Sequence, residues 1–230
     1  MPSRDRVVLF DVDETLLDHV NAERKAALDF HARFSAELNL PAEEFAAQWH
    51  ALAEKWFELY GKGKTTFEGQ RRERLRAIFG ALMSDSDADA RFGTYIQIYE
   101  RHWSLFPDVL PCLEALKGRR LGIITNGVTD QQNGKLRKLG IQACFSEVLC
   151  SADVGVAKPD PAIFLLAAKR FQVQPGDCVY VGDRLETDAL AAAKAGMCGV
   201  WLNRANDQNG EGIVTIRSLN ALPGFLAGRT

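Results

Sequence analysis

From Pro107 onward the chain repeats one pattern: a short apolar run, a polar residue or two, then a stretch of helical periodicity. The runs at 121–124, 147–150, 178–181 and 199–202 read as strands, and 213–216 reads as a further one. The stretches at 108–117, 131–139, 161–171 and 187–195 read as helices, with Asp108 as an N-cap and Gly140 and Gly196 as C-terminal stops. A last short helix is expected at 218–226. Strands that alternate with helices imply an α/β fold built on a doubly wound parallel sheet. Ligands of such sheets bind in the crevice beyond the carboxyl ends of the strands.

One more strand lies far upstream. Residues 7–18 read VVLFDVDETLLD, an apolar run that stops at Asp11, with Asp13 two places on. Alternate side chains of an extended segment share a face, so both carboxylates can face one crevice. Like charges this close repel unless a cation or a shared proton relieves them. The stretch therefore asks for a metal, a proton relay or both. An Asp-x-Asp turn also occurs as a plain strand end or helix cap. It does not match an EF-hand loop, which needs further oxygen ligands and an internal Gly.

Between this strand and Pro107 the pattern is helical. Ala22, Ala26, Phe30, Phe34 and Leu38 mark one helix, broken at Leu40-Pro41. Phe45, Trp49, Leu52, Trp56 and Leu59 mark a second, stopped at Gly61-Lys62-Gly63. Phe67, Leu75, Ile78 and Leu82 suggest a third; 84–90 is polar and turn-like; Tyr95, Ile96, Tyr99 and Trp103 mark a fourth. Four helices without a strand predict a small bundle over 18–103, inserted into a core made of 1–17 and 104–230. The aromatic stripes are read as packing. Lys62, Lys64, Arg71, Arg72 and Arg74 form either a substrate-facing rim or, the favoured reading, a solvated helix face. Gly63-Lys64-Thr65 is not the end of a phosphate-binding P-loop, because position 58 is Glu58 where that pattern needs Gly.

At a net charge of −2 and pI near 6.1, no global field recruits a nucleic-acid polymer or an acidic membrane. Five scattered cysteines with no C-x-x-C pair read as reduced core thiols, and hence a cytoplasmic protein. The first apolar run is too short for a signal peptide, and no stretch reaches the roughly 20 apolar residues of a membrane helix.

Three further polar sites fall at strand ends. Thr125-Asn126-Gly127 offers a hydroxyl and free backbone N–H groups, a small anion cradle or an ordinary turn. Lys158, just before Pro159, can hold phosphate as a point charge or be a solvated surface lysine. Gly182-Asp183-Arg184-Leu185-Glu186-Thr187-Asp188 offers two carboxylates suited to a hard divalent ion, or a helix cap.

In their order, DVDET at 11–15, ITNG at 124–127, Lys158 in VAKPD and GDRLETD at 182–188 resemble the four motifs of the haloacid dehalogenase-like (HAD) hydrolase superfamily. The resemblance covers nearly the whole chain and implies a Rossmann-like core with a small helical cap after the first strand. GVAKPDPAIF and the WLN after the fifth strand are most similar to its bacterial pyrimidine 5′-nucleotidases. It implies Asp11 as nucleophile and Asp13 as acid and base. It implies Mg²⁺ on Asp11, Asp183 and the Asp13 carbonyl, with Asp188 supporting the metal's water shell. Thr125 and the Asn126 N–H would hold phosphate oxygens, and Lys158 would neutralise charge. The expected activity is Mg²⁺-dependent hydrolysis of a phosphomonoester through an aspartyl-phosphate, on a small phosphorylated metabolite such as a nucleoside monophosphate. The expected protein is a monomer or homodimer. Alternatives are a phosphoglycolate or sugar phosphate phosphatase, a phosphosugar mutase, a 2-haloacid dehalogenase, and a non-catalytic phospho-acceptor or binding module.

Overall fold

The computed structural model describes residues 6–204, 210 and 212–228. The reading of the first five residues lies outside them. The chain divides into two compact units: one of the chain up to Asp18 together with the chain from Ser104 onward, the other of His19–Trp103.

The first unit is built on β1 (Val7–Phe10). The helical unit follows as α1 (His19–Arg33), α2 (Ala42–Gly61), α3 (Phe67–Phe79) and α4 (Asp85–Arg101). The chain then returns through α5 (Val109–Ala115), β2 (Leu121–Thr125), α6 (Thr129–Lys138), β3 (Glu147–Cys150), α7 (Ser151–Val154) and α8 (Pro161–Arg170). It ends with β4 (Cys178–Gly182), α9 (Ala191–Lys194), β5 (Cys198–Leu202), β6 (Val214–Ile216) and α10 (Leu222–Ala227). The six strands form one parallel sheet in the order β3-β2-β1-β4-β5-β6. VVLF, LGIIT and CVYVG are buried at every position, as strands covered on both faces must be. β1 lies at the centre, with β2 on one side and β4 on the other, so the winding direction reverses there. The carboxyl end of β1 is thus the switch point at which a doubly wound sheet opens its crevice.

Asp108 does not cap α5 with its side chain, as the sequence suggests. Its carboxylate instead accepts hydrogen bonds from Arg204 Nη1 (2.7 Å) and Nη2 (3.0 Å), Ser218 Oγ (2.6 Å) and the Leu219 N–H (2.8 Å). Arg204 Nη2 also donates to the Thr15 carbonyl at 2.9 Å, which ties the loop after β1 to the far edge of the sheet. Burial alone would raise the Asp108 pKa, but these donors outweigh it and hold the carboxyl below its ordinary 3.8. A depressed native pKa stabilises the fold above the unfolded value, and the contribution is lost as pH falls through the native one. Asp108→Asn is therefore expected to cost about 2 kcal/mol at neutral pH. In urea titrations the gap to wild type should narrow below the ordinary value of 3.8. A gap that stays constant into acid would show that Asp108 is not held ionised.

In the helical unit, α1 packs on α2 and α4, and α3 packs on the same two helices. The interior is aromatic: Trp49 lies 5.6 Å from Phe30 and 4.6 Å from Tyr95 between ring centroids. Three expectations change here. The stretch 84–90 is not a turn, because Ser84 caps α4 by accepting from the Asp87 N–H at 3.1 Å. α3 stops at Phe79 before Gly80 (φ 116°), which leaves Leu82 fully exposed. Lys62 and Lys64 are exposed as expected, but the arginines are not all on a solvated face. Arg74 is 6% exposed, lies 4.5 Å from the Trp49 ring centroid and pairs with buried Glu23. Arg72 is bound to Asp85 and Asp89. Cys144 is exposed, so not every cysteine is a core thiol. Among the described residues no helix is long and apolar enough to cross a membrane.

Candidate active site

The Asp11 N–H still donates to Val181 O on β4, at 2.9 Å, so its carboxylate leaves the sheet at the end of β1. The chain then turns back sharply. Leu16 and Leu17 both donate their N–H to Val12 O at 2.9 Å, and Glu14 takes a left-handed φ of 58°. This is sparsely populated for a residue with a Cβ and persists only where neighbouring bonds enforce it.

Lys158 reaches the same point from the loop after α7. It is 6% exposed, which rules out a solvated surface lysine. Its Nζ lies 2.9 Å from Asp11 Oδ1 and 2.7 Å from Asp188 Oδ1, and donates to Tyr180 Oη at 2.8 Å. Burial disfavours the ammonium, but the two carboxylates outweigh it and hold Lys158 protonated. Its peptide bond to Pro159 is cis. Asn126 clamps this loop from the other side: its Nδ2 donates to Lys158 O, and its Oδ1 accepts from the Lys158 N–H, each at 2.8 Å.

The third arm comes from β4. Trp201 Nε1 donates to the Asp183 carbonyl at 2.8 Å, and Thr15 Oγ1 reaches Asp183 Oδ1 at 3.5 Å. Asp188 follows on a π-type turn over Leu185–Leu190 that leads into α9, where the sequence suggests a regular helix. Such turns recur at functional sites. A Cβ at Gly182 would lie 2.4 Å from Asp188 Cγ, so only glycine lets that carboxylate fold back against the strand.

Carboxylate oxygens of Asp11, Asp183 and Asp188 lie within 4.8 Å of one another. Burial first, then Lys158 pulling down and Asp188 and Asp13 pushing up, leaves Asp11 with a pKa of about 6. Burial and the charges of Asp11 and Asp188 push Asp183 to about 8. One buried ammonium among three carboxylates leaves a deficit of positive charge. Hard oxygen donors at this spacing fit a small divalent cation that would supply it.

Thr125, at the end of β2, is buried. Its Oγ1 accepts the Gly127 N–H at 3.2 Å, so that N–H closes the turn and is not free for an anion as the sequence suggests. Asp13 lies apart from the acidic cluster in its bonding. Its oxygens accept from Lys135 Nζ at 2.6 Å and Gln132 Nε2 at 3.0 Å, both on α6. Sequence reasoning misses these two, Tyr180 and the Asn126 side chain. Tyr180 alone leaves a trace, as a phenol in an otherwise apolar strand that must find a partner for its hydroxyl.

The sequence model of the haloacid dehalogenase-like hydrolases matches residues 6–196. The chain belongs to this family. Among its HAD relatives, the glyceraldehyde 3-phosphate phosphatase of Methanopyrus kandleri is 33% identical over 90% of this chain and 87% of its own. The pyrimidine 5′-nucleotidase YjjG of Escherichia coli is 28% identical over 95% of this chain and 96% of its own. Of solved structures, the HAD-hydrolase YfnB of Bacillus subtilis, bound to magnesium, superposes with a TM-score of 0.82 at 26% identity, covering 97% of this chain and 99% of that one. A 2-haloacid dehalogenase of Pseudomonas syringae gives 0.73 at 30% identity, covering 99% and 100%. The HAD fold expected from the motifs is the fold observed.

Proposed function

We propose that this HAD hydrolase is a Mg²⁺-dependent phosphatase of small phosphorylated metabolites, with Asp11 as the nucleophile. The observation that carries the reading is the convergence on Asp11 of a buried ammonium from the loop after α7 and two more carboxylates from the segment after β4. Asp11, Asp183 and the Asp13 carbonyl would hold the cation, and Asp188 would support its water shell while fixing Lys158. When bound, the cation offsets the charge that keeps a carboxylate away from a phosphate. An Asp11 oxygen attacks phosphorus, and the bond to the leaving oxygen breaks as the Asp11–phosphorus bond forms. Asp13 acts here in its protonated form, with one oxygen released from its donor on α6, and gives that proton to the leaving oxygen. It then takes one from the water that attacks phosphorus and releases inorganic phosphate. Lys158, Thr125 and the Asn126 N–H hold the remaining oxygens, since phosphoryl transfer is chiefly positioning and charge stabilisation.

The unit His19–Trp103 serves in this reading as a cap over a core formed by 1–18 and 104–230, and sets the leaving-group preference. The motif around Lys158 and the likeness to YjjG favour pyrimidine nucleoside 5′-monophosphates. The higher identity to the Methanopyrus enzyme favours a three-carbon sugar phosphate as the second reading. The reduced cysteines fit a cytoplasmic enzyme, as monomer or homodimer. Asp13 stands against a dehalogenase, because carbon–halogen cleavage leaves a halide that needs no proton.

The test is phosphate release with Mg²⁺ from UMP, dTMP, purine monophosphates, glyceraldehyde 3-phosphate, other sugar phosphates and phosphoglycolate. UMP and dTMP are expected among the best substrates. Their absence from that group removes the nucleotidase reading. Release of halide from a 2-haloacid in EDTA, without phosphate release from the panel, would overturn the phosphatase reading itself.

A further inference from the structure

We infer that Lys135 and Gln132 of α6 are positioning residues that set the carboxylate of Asp13 against the Thr125–Gly127 turn, so that acid–base catalysis depends on them. The inference rests on the phosphatase reading above.

Both oxygens of Asp13 are engaged by one helix: Oδ1 by Lys135 Nζ at 2.6 Å and Oδ2 by Gln132 Nε2 at 3.0 Å. The two donors are three residues apart, so they share one face of α6. Two directional bonds to two oxygens fix both torsions of an aspartate, which one bond cannot do. The pair is also unequally buried. The Lys135 side chain is 3% exposed and that of Asp13 31%. A buried ammonium needs a counter-charge, and here it reaches outward to a carboxylate that still faces solvent. That is the arrangement of an anchored working group, not of an internal strut.

Gln132 carries the second link. It is 2% exposed. Its side chain lies so close over Gly127 that a Cβ there would meet Nε2 at 1.9 Å. The glycine is therefore needed to admit the amide that holds Asp13. α6 begins at Thr129, two residues beyond that glycine. One short stretch, 125–135, thus holds the turn proposed to bind phosphate oxygens and the two donors that aim the acid–base carboxylate. Their separation is set by the first two turns of α6. Positioning of this kind matters because a displacement of about 1 Å can cost 10²-fold in rate.

The experiment compares two phosphomonoesters with Mg²⁺: the fastest alkyl phosphate of the panel, whose alkoxide needs a proton, and p-nitrophenyl phosphate, whose phenolate leaves without one. Lys135→Met is expected to lower kcat/KM, which reads the transfer to Asp11 and not the later hydrolysis common to both substrates, by about 10²-fold on the alkyl phosphate, within the range for general acid–base catalysis. The loss on p-nitrophenyl phosphate should be at least several-fold smaller. Lys135→Arg should recover part of the loss. Added to Asp13→Asn, Lys135→Met should slow the enzyme no further. That double variant removes both charges together, so the comparison stands even if the single variant folds poorly. An equal loss of kcat/KM on both substrates, or a multiplicative loss in the double variant, overturns the inference. If wild type shows no Mg²⁺-dependent release, or matches Asp11→Asn, the phosphatase reading fails instead and takes this inference with it.

Discussion

Asp11→Asn is expected to lower phosphate release by about 10⁴-fold or more, with the fold intact. An amide has no anionic oxygen to attack phosphorus, and it removes one hard donor from the acidic cluster. The change should be well tolerated structurally. The side chain keeps its volume, and one of three crowded carboxylates disappears. Burial, together with the charges of Asp188 and Asp13, outweighs the pull of Lys158 and pushes Asp11 up to about 6, a standing cost of keeping that charge. Asp11→Asn should therefore melt at or above the wild-type temperature in metal-free buffer. Loss of activity with gained stability separates a reacting group from a structural one. Loss of both would assign Asp11 to the architecture.

Lys158→Met is expected to show the opposite balance. Its ammonium lies 2.9 Å from Asp11 and 2.7 Å from Asp188, and is hydrogen-bonded to Tyr180. Removing it leaves two buried carboxylates with no cation between them, which costs about 3–5 kcal/mol. It also removes the charge that lets Asp11 approach a phosphate, for a loss of about 10²–10³-fold in kcat. Lys158→Met/Asp188→Asn should recover stability, since it deletes the charges as a pair, yet recover no activity. Denaturant titration and kcat on the same two preparations check both halves. If the double variant regained activity, Lys158 would be only a partner for Asp188.

The fold was largely legible because its signals are local. Apolar runs of four or five residues ending in Asp, Thr or Gly placed β1, β2 and β4 to within a residue. Helix ends were less legible. Ser84 caps α4 through a bond to Asp87 three residues on. That pattern lies inside a polar stretch that also reads as a turn. Four motifs were legible; residues of three gather at Asp11, Lys158, Asp183 and Asp188, and the fourth reaches them through Asn126, which bonds the Lys158 backbone. Their supports were not. Lys135 meets Asp13 across 122 positions and Gln132 across 119. A lysine and a glutamine on an otherwise polar helix give no sign of facing inward. In the sequence Asn126 offers only a backbone N–H beside a turn glycine, whereas its side chain is what clamps the Lys158 loop. Arg204, which joins Asp108 to Thr15, is equally silent in one dimension.

Covalent capture of the phosphoryl group on the first strand's terminal aspartate is the most direct test. Wild-type protein mixed with Mg²⁺ and its best substrate, quenched in acid within a turnover and digested, should yield a peptide spanning 7–18 heavier by one phosphoryl group. The adduct should be lost on treatment with hydroxylamine and absent from Asp11→Asn. Full turnover by wild type with that peptide unmodified at every quench time, and phosphate release undiminished in Asp11→Asn, would contradict the account.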